Sequence, residues 1–325
     1  MKNIKKALSL VLALAMLAVS CFAFAACSDN TSKKYTIGIC QLTQHAALDA
    51  ATQGFIDAVI AELGEENVDI DLQNASGDTN VCTTIITKFV NKNVDLILAN
   101  ATPALQAAYS ATVSNPIPVL GTSITEYSVA LDLDNFNGTV GSNVSGTSDL
   151  APLDQQADMI LEVCPNVKSV GIIYCSGEAN SKYQVEKVTE YLTKKNVAVK
   201  AYPFSDSNDI IAITNAAAAE CDAIYIPTDN TAASCAETIG NVVREKKVPV
   251  FAGEENTAKA CGIASLSISY YDLGVQTGKM AAKILKGEAK ISEMPIEYAP
   301  ATKKYNAEMA EFLGITIPEG YTAIE

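Results

Sequence analysis

The sequence predicts an α/β protein of two doubly wound, parallel-sheet lobes joined by a three-crossing hinge. Three observations carry this. Short apolar runs rich in β-branched residues alternate with amphipathic segments of roughly 11 to 17 residues, the pattern of strands covered by helices on both faces. The alternation runs through once, breaks, and starts again. At 325 residues, the chain also exceeds what one hydrophobic core usually holds.

In order, residues 35–40 read as a strand, 47–63 as a helix, 68–72 as a strand and 79–91 as a helix. Residues 96–99, a helix over 103–113, and 117–120 continue the series. A less regular stretch holds 129–131 and 139–144, after which 153–163 is helical, 169–174 a strand, 181–194 a helix and 197–202 a strand. A helix near 209–219, a strand at 223–226, a helix over 231–246 and a strand at 249–252 complete the second series. The strand 263–267 and the helix 272–285, capped at Lys286-Gly287, form one unit too many and are expected to return to the first lobe. A last helix near 304–313 then finishes the second. The expected division is 35–149 with 254–288 as lobe one, and 150–253 with 289–325 as lobe two. Ligand is expected at the carboxyl ends of the strands.

The N-terminus carries a different signal. Lys2, Lys5 and Lys6 precede an uncharged apolar run over residues 7–24, which closes with Phe24-Ala25-Ala26-Cys27. This is the layout of a signal peptide over residues 1–26. Its small-residue site ending in cysteine resembles a bacterial lipobox, with Cys27 as the lipidated residue and residues 27–34 as a tether. The run is short for a membrane span. Removing residues 1–26 takes away three lysines and no acid, so the formal charge moves from −14 to −17.

That acidity disfavours nucleic acid, and the sole arginine, Arg244, excludes an arginine cluster for anions. Beyond Cys21 and Cys27, the cysteines are Cys40, Cys82, Cys164, Cys175, Cys221, Cys235 and Cys261. None stands in a CxxC pair and His45 is the only histidine, so neither a zinc site nor a bound cofactor is expected. A scattered odd set reads as small buried side chains, with a bridge such as Cys164 to Cys175 left open. There is no G-x-S-x-G elbow, no phosphate loop ending in GK[ST], and no second histidine for a triad. An enzyme is therefore not expected.

The lipobox, IGICQLTQHAALDAATQGF (37–55), GTSDLAP (146–152), SGEANSKYQ (176–184), AIYIPTDNT (223–231) and SYYDLGVQTGKMAAKILKG (269–287) together resemble the substrate-binding lipoproteins of ABC importers. The branch they are similar to includes the tryptophan- and tyrosine-binding proteins of Gram-positive bacteria. The resemblance spans Tyr35 to about Tyr298. It implies a monomeric type I periplasmic-binding fold, anchored by lipid outside the cell membrane. Such a receptor closes on a small amino acid, aromatic in this branch, and delivers it to a membrane permease. The family often has an acid and a proline around its first-loop histidine, where this chain has Gln44 and Ala46.

Independently of family, strand-to-helix loops of an open sheet present free N–H groups that suit a carboxylate. Thr102, Thr122, Ser123 and Ser148 stand at such loops, each equally readable as a helix cap. A ligand ammonium needs a carboxylate. Asp229, flanked by Thr228 and Asn230, is the preferred partner, with an N-cap as its other reading. Glu254 and Asp149 are placed similarly. Asn180, Ser181 and Gln184 open a helix facing the cleft, and Gln44 and His45 follow the first strand at its edge. Other readings of the same pattern are a sugar or nucleoside receptor and a ligand-sensing lipoprotein.

Overall fold

The computed structural model describes residues 34–325. The signal peptide, the Cys27 lipidation site and most of the tether lie outside the described residues. Residues 35–325 form one compact unit, built on two sheets. Among the described residues, no helix is long and apolar enough to cross a membrane.

The first sheet contains β1 (Tyr35–Gln41), β2 (Val68–Asn74), β3 (Leu96–Asn100), β4 (Val119–Ile124), β5 (Val144–Ser148) and β11 (Glu297–Tyr298). Its spatial order is β11-β5-β4-β3-β1-β2, and every pairing is parallel. The second holds β6 (Ser169–Cys175), β7 (Ala198–Phe204), β8 (Ala223–Ile226), β9 (Val250–Ala252), β10 (Ala264–Ser267), β12 (Thr302–Tyr305) and β13 (Thr322–Ala323). Its order is β13-β12-β10-β9-β8-β6-β7, parallel except for the antiparallel pair of β10 with β12. The central strands of both sheets thus repeat one doubly wound order.

Each sheet is covered on both faces. In the first lobe, α1 (Ala46–Leu63) and α11 (Tyr270–Leu285) cover one face, and α2 (Thr79–Lys92) and α3 (Thr102–Thr112) the other. Strands β3 and β4 are buried along their whole length, as strands covered twice must be. Helices α1 and α11 meet at very short range: a Cβ on Gly274 would run into the backbone oxygen of Ala51, and one on Gly54 into that of Tyr271. In the second lobe, α5 (Leu153–Val163) and α6 (Ala179–Lys194) pack on one face. On the other lie α7 (Ile210–Glu220) and α9 (Ala236–Lys246).

The chain crosses between lobes after β5, after β10 and after β11, which makes the three-strand hinge. The crossings differ from the expected boundaries. Residues 264–267 do not return to the first lobe: β10 is held between β9 and β12 in the second sheet. The return begins with α11, which packs on α1. Residues 289–298 likewise stay with the first lobe. Ser145 Oγ donates to Met294 O at 3.0 Å, and Glu297 and Tyr298 pair with Thr147 and Ser148.

Local departures have local causes. The helix expected over 231–246 is two, α8 (Asn230–Ser234) and α9, broken at Cys235, whose N–H closes back on Ala232 O at 3.0 Å. Residues 304 and 305, expected to open the last helix, belong to β12 because β10 offers that segment an edge, leaving α12 as Ala307–Leu313. Residues 127–130, read as irregular, form the short helix α4 (Tyr127–Ala130), capped by the Glu126 side chain. Helix α10 (Glu255–Cys261) was not expected.

Candidate functional site

The carboxyl ends of both sheets face each other across the interlobe seam. Two openings flank it. One, of about 500 Å³, sets Leu42, Thr43, residues 76–79 and Pro103 against Cys175, Gly177, Glu178, residues 205–207, Asn230, Thr231 and Ser234. The other, of about 520 Å³, sets Gln44, His45 and Ala46 against Ser234, Glu237, Glu254, Asn256, Lys259 and their neighbours.

On the first-lobe side, two non-glycine residues hold left-handed backbone at adjacent strand ends: Ala101 at φ 88° after β3 and Ser123 at φ 56° within β4. Such positions cost roughly 1–3 kcal/mol each and persist where surrounding structure enforces them. Ala101 precedes α3, whose Thr102 is buried and whose second residue, Pro103, brings no N–H. The Ser123 hydroxyl is buried without a hydrogen-bond partner, as is Oδ1 of Asn100. The Asn100 amide nitrogen is used, donating to Leu48 O at 2.8 Å and Thr52 Oγ1 at 2.9 Å.

Thr122 and Ser148 are occupied otherwise. The Thr122 hydroxyl lies 3.4 Å from Thr147 Oγ1 and accepts from Thr277 Oγ1 at 3.3 Å, a buried cluster beneath the hinge. Ser148 Oγ donates to Thr125 O at 2.8 Å and accepts from Leu150 N at 3.1 Å, shaping the first crossing.

Asp149 stands on that crossing with only 4 % of its surface exposed. Its Oδ2 accepts from the Tyr270 hydroxyl at 2.8 Å, whereas its buried Oδ1 has no partner. Burial pushes its carboxyl up to about 6, against the pull of the Tyr270 hydroxyl, and the nearby Glu254 charge adds to the rise.

Asp229 is the opposite case. It caps α8, its Oδ1 accepting from Ala232 N at 2.8 Å, while Oδ2 accepts from Cys175 N at 2.6 Å and Ser181 Oγ at 2.7 Å. Burial first and the Glu178 charge second raise its carboxyl above the usual range, with the three donors pulling it down. Both oxygens are thereby engaged within the second lobe, the cap reading of this residue. Glu254 also caps a helix, accepting from Asn256 N at 2.7 Å and from Thr257 N.

The other second-lobe candidates form the same network. Gln184 accepts from Thr228 N at 3.0 Å and donates to Thr228 O at 3.2 Å. Asn180 Nδ2 donates to Thr228 O at 2.9 Å and Glu178 Oε2 at 3.1 Å, and its own Oδ1 is buried without a partner. Glu178 is the centre that sequence reasoning missed. One oxygen accepts from Asn230 N and Nδ2 at 3.0 and 2.6 Å, the other from Thr231 N and Oγ1 at 2.9 and 2.8 Å. An acid just after a strand, ahead of Asn180 and Ser181, was the available signal. The loop at residues 76–79 was missed too, although Gly77 after a strand marks it.

Gln44 and His45 lie at the rim of the second opening, and His45 Nε2 is 3.5 Å from Asn230 Oδ1 in the other lobe. The described cysteines carry free thiols, and among the described residues no His, Cys, Asp and Glu group could hold a metal ion.

Comparison with known proteins gives this two-lobed seam its context. The family described as ABC transporter substrate binding protein matches residues 36–323. A tyrosine-binding protein of Clostridioides difficile is 34% identical over 90% of this chain and 87% of its own. A Streptococcus pneumoniae ABC domain solved in complex with L-Trp is 34% identical, with a TM-score of 0.84 over 90% of this chain and all of that one. A ligand-free, open substrate-binding protein with adhesive properties from Clostridium difficile is 35% identical, with a TM-score of 0.68 over 90% of this chain and 99% of that one. At near-equal identity, the chain as a whole superposes better on the complexed structure than on the open one. The chain belongs to the ABC transporter substrate binding protein family: it is a two-lobed receptor that takes a small molecule on the outer side of a membrane for an importer, and not an enzyme.

Proposed function

We propose that this receptor binds a zwitterionic aromatic amino acid in the interlobe seam and works as a lipid-anchored monomer beside its permease. The observation that carries the ligand class is the unpartnered, buried Oδ1 of Asp149. A buried carboxylate oxygen with no donor is costly, and a ligand ammonium supplies both donor and charge. The ligand carboxylate falls to the first N–H groups of α3, where the helix dipole favours negative charge, and to the unpartnered Ser123 hydroxyl. No arginine is needed.

The aromatic side chain rests on the relatives: one is named for tyrosine and another was solved with L-Trp. Leu42 and Pro103 in the first opening supply apolar surface for a ring. Closure follows binding, because ammonium and carboxylate contacts together demand a particular lobe arrangement, and differential affinity shifts the population toward it.

Thermal unfolding of residues 28–325, stripped of ligand by refolding, tests the reading against the amino acids, sugars and nucleosides. Saturation at 100 times Kd adds about 2.7 kcal/mol of stability, so binding is plain in the midpoint. A rise confined to phenylalanine, tyrosine or tryptophan supports it; a rise with sugars or nucleosides only overturns it. The chain has no tryptophan, so bound L-tryptophan reports through its own fluorescence. Anchoring is tested separately: Cys27→Ala should move the protein from the membrane fraction to the medium.

A further inference from the structure

We propose that His45 and Asn230 form a clasp holding the lobes shut over the ligand, with His45 acting on affinity through the second lobe and not by touching the ligand. This rests on the receptor reading above and adds a residue-level device to it.

His45 occupies the N-cap position of α1 yet makes no side-chain cap hydrogen bond. Its imidazole is therefore not consumed by its own helix and reaches across the seam, Nε2 to Asn230 Oδ1 at 3.5 Å. The two residues are 185 positions apart and belong to different lobes.

Asn230 is prepared for this contact. Its Nδ2 donates to Glu178 Oε2 at 2.6 Å and its backbone N–H donates to the same oxygen at 3.0 Å. A carboxylate accepts only from the amide nitrogen, so Glu178 decides which way the amide faces and leaves Oδ1 for the imidazole. The contact then requires the Nε2–H form of His45. A fixed acceptor in one lobe meets a donor on the rim of the other, and only when the lobes have met.

Position sets His45 apart from the ring: it borders the second opening, whereas Leu42 and Pro103 line the first, on which Asn230 stands. The chain as a whole also superposes better on the complexed relative than on the open one, at TM-scores of 0.84 and 0.68.

Stopped-flow binding of L-tyrosine and of L-tryptophan to wild type, His45→Ala and His45→Gln separates the alternatives. One interlobe hydrogen bond is worth roughly a three- to tenfold change in rate, so His45→Ala should release both ligands faster by that factor. Association should stay within about twofold. The factor should be the same for both ligands, and His45→Gln, which keeps an N–H donor, should recover part of the loss. An unchanged release rate, or a loss that differs between the ligands or sits in association, overturns the clasp. If wild type binds neither amino acid, the ligand reading has failed and small-angle scattering of ligand-free protein decides the clasp by itself. His45→Ala should then enlarge the radius of gyration relative to wild type, and an unchanged radius overturns the proposal.

Discussion

The Tyr270 hydroxyl donates to Asp149 Oδ2 at 2.8 Å, across 121 residues of chain. Asp149 lies on the first hinge crossing and Tyr270 opens the helix that follows the second, so one hydrogen bond ties two hinge strands together. It occupies one carboxylate oxygen and leaves the other buried and without a partner. The hinge thus carries an unsatisfied negative group where the lobes meet.

Ligand affinity should fall below about pH 6. The Asp149 carboxyl is raised to about 6 by burial, so its ionised form is disfavoured in the fold. Any stability gained from its protonated state is present at pH below the ordinary carboxylate range and is lost as pH rises through about 6. An ammonium ligand stabilises the ionised form, so at low pH binding must displace a proton. Calorimetry across pH 5 to 8 should show affinity level above about 7 and weakening toward tenfold per unit below 6. Proton release on binding should be near zero above about pH 7, about half a proton near 6, and approach one below it. A flat profile removes Asp149 from the site.

Asp149→Asn should lower affinity for the amino acid by about 100-fold, the loss expected when a buried charge pair of roughly 3 kcal/mol is removed. The melting temperature of the ligand-free protein should hold or rise, since a buried unpaired charge goes with the substitution. Ligand titration beside a melting curve checks both halves.

Asp229→Ala should behave the other way. It removes the cap of α8 and leaves the donors of Ala232, Cys175 and Ser181 without their acceptor. A loss of about 2–4 kcal/mol is expected in denaturant unfolding, with the preference among amino acids unchanged. Abolished binding at an unaltered melting temperature would return the ammonium to Asp229.

Gly274→Ala should destabilise the first lobe by about 1–3 kcal/mol through overpacking, because the new methyl meets the Ala51 carbonyl where α1 and α11 touch. Urea unfolding reads the cost directly. A neutral result means the two helices slide apart without penalty.

Most elements were legible because their signals are local. The alternation of strand and helix periods, the Gly287 stop and the polar strand-end loops depend on neighbours within a few residues. Where these signals failed, a distant partner decided. Residues 302–305 are a strand only because β10 presents an edge to them. Helix α8 ends at Ser234, with its start fixed to the second lobe by Asp229 and Glu178.

By itself the sequence determined the two doubly wound lobes, the family, and a set of polar residues at strand ends, since periodicity and motif are written along the chain. Tertiary structure decided where the crossings fall and which acid is spare. Asp149 and Asp229 look alike in sequence, each past a strand in a short polar run. In the fold, Asp229 meets three donors of its own lobe, whereas Asp149 meets Tyr270 on one oxygen and no donor on the other. A carboxylate is free for a ligand only where the protein's own donors run out, and that count exists only once the chain has folded.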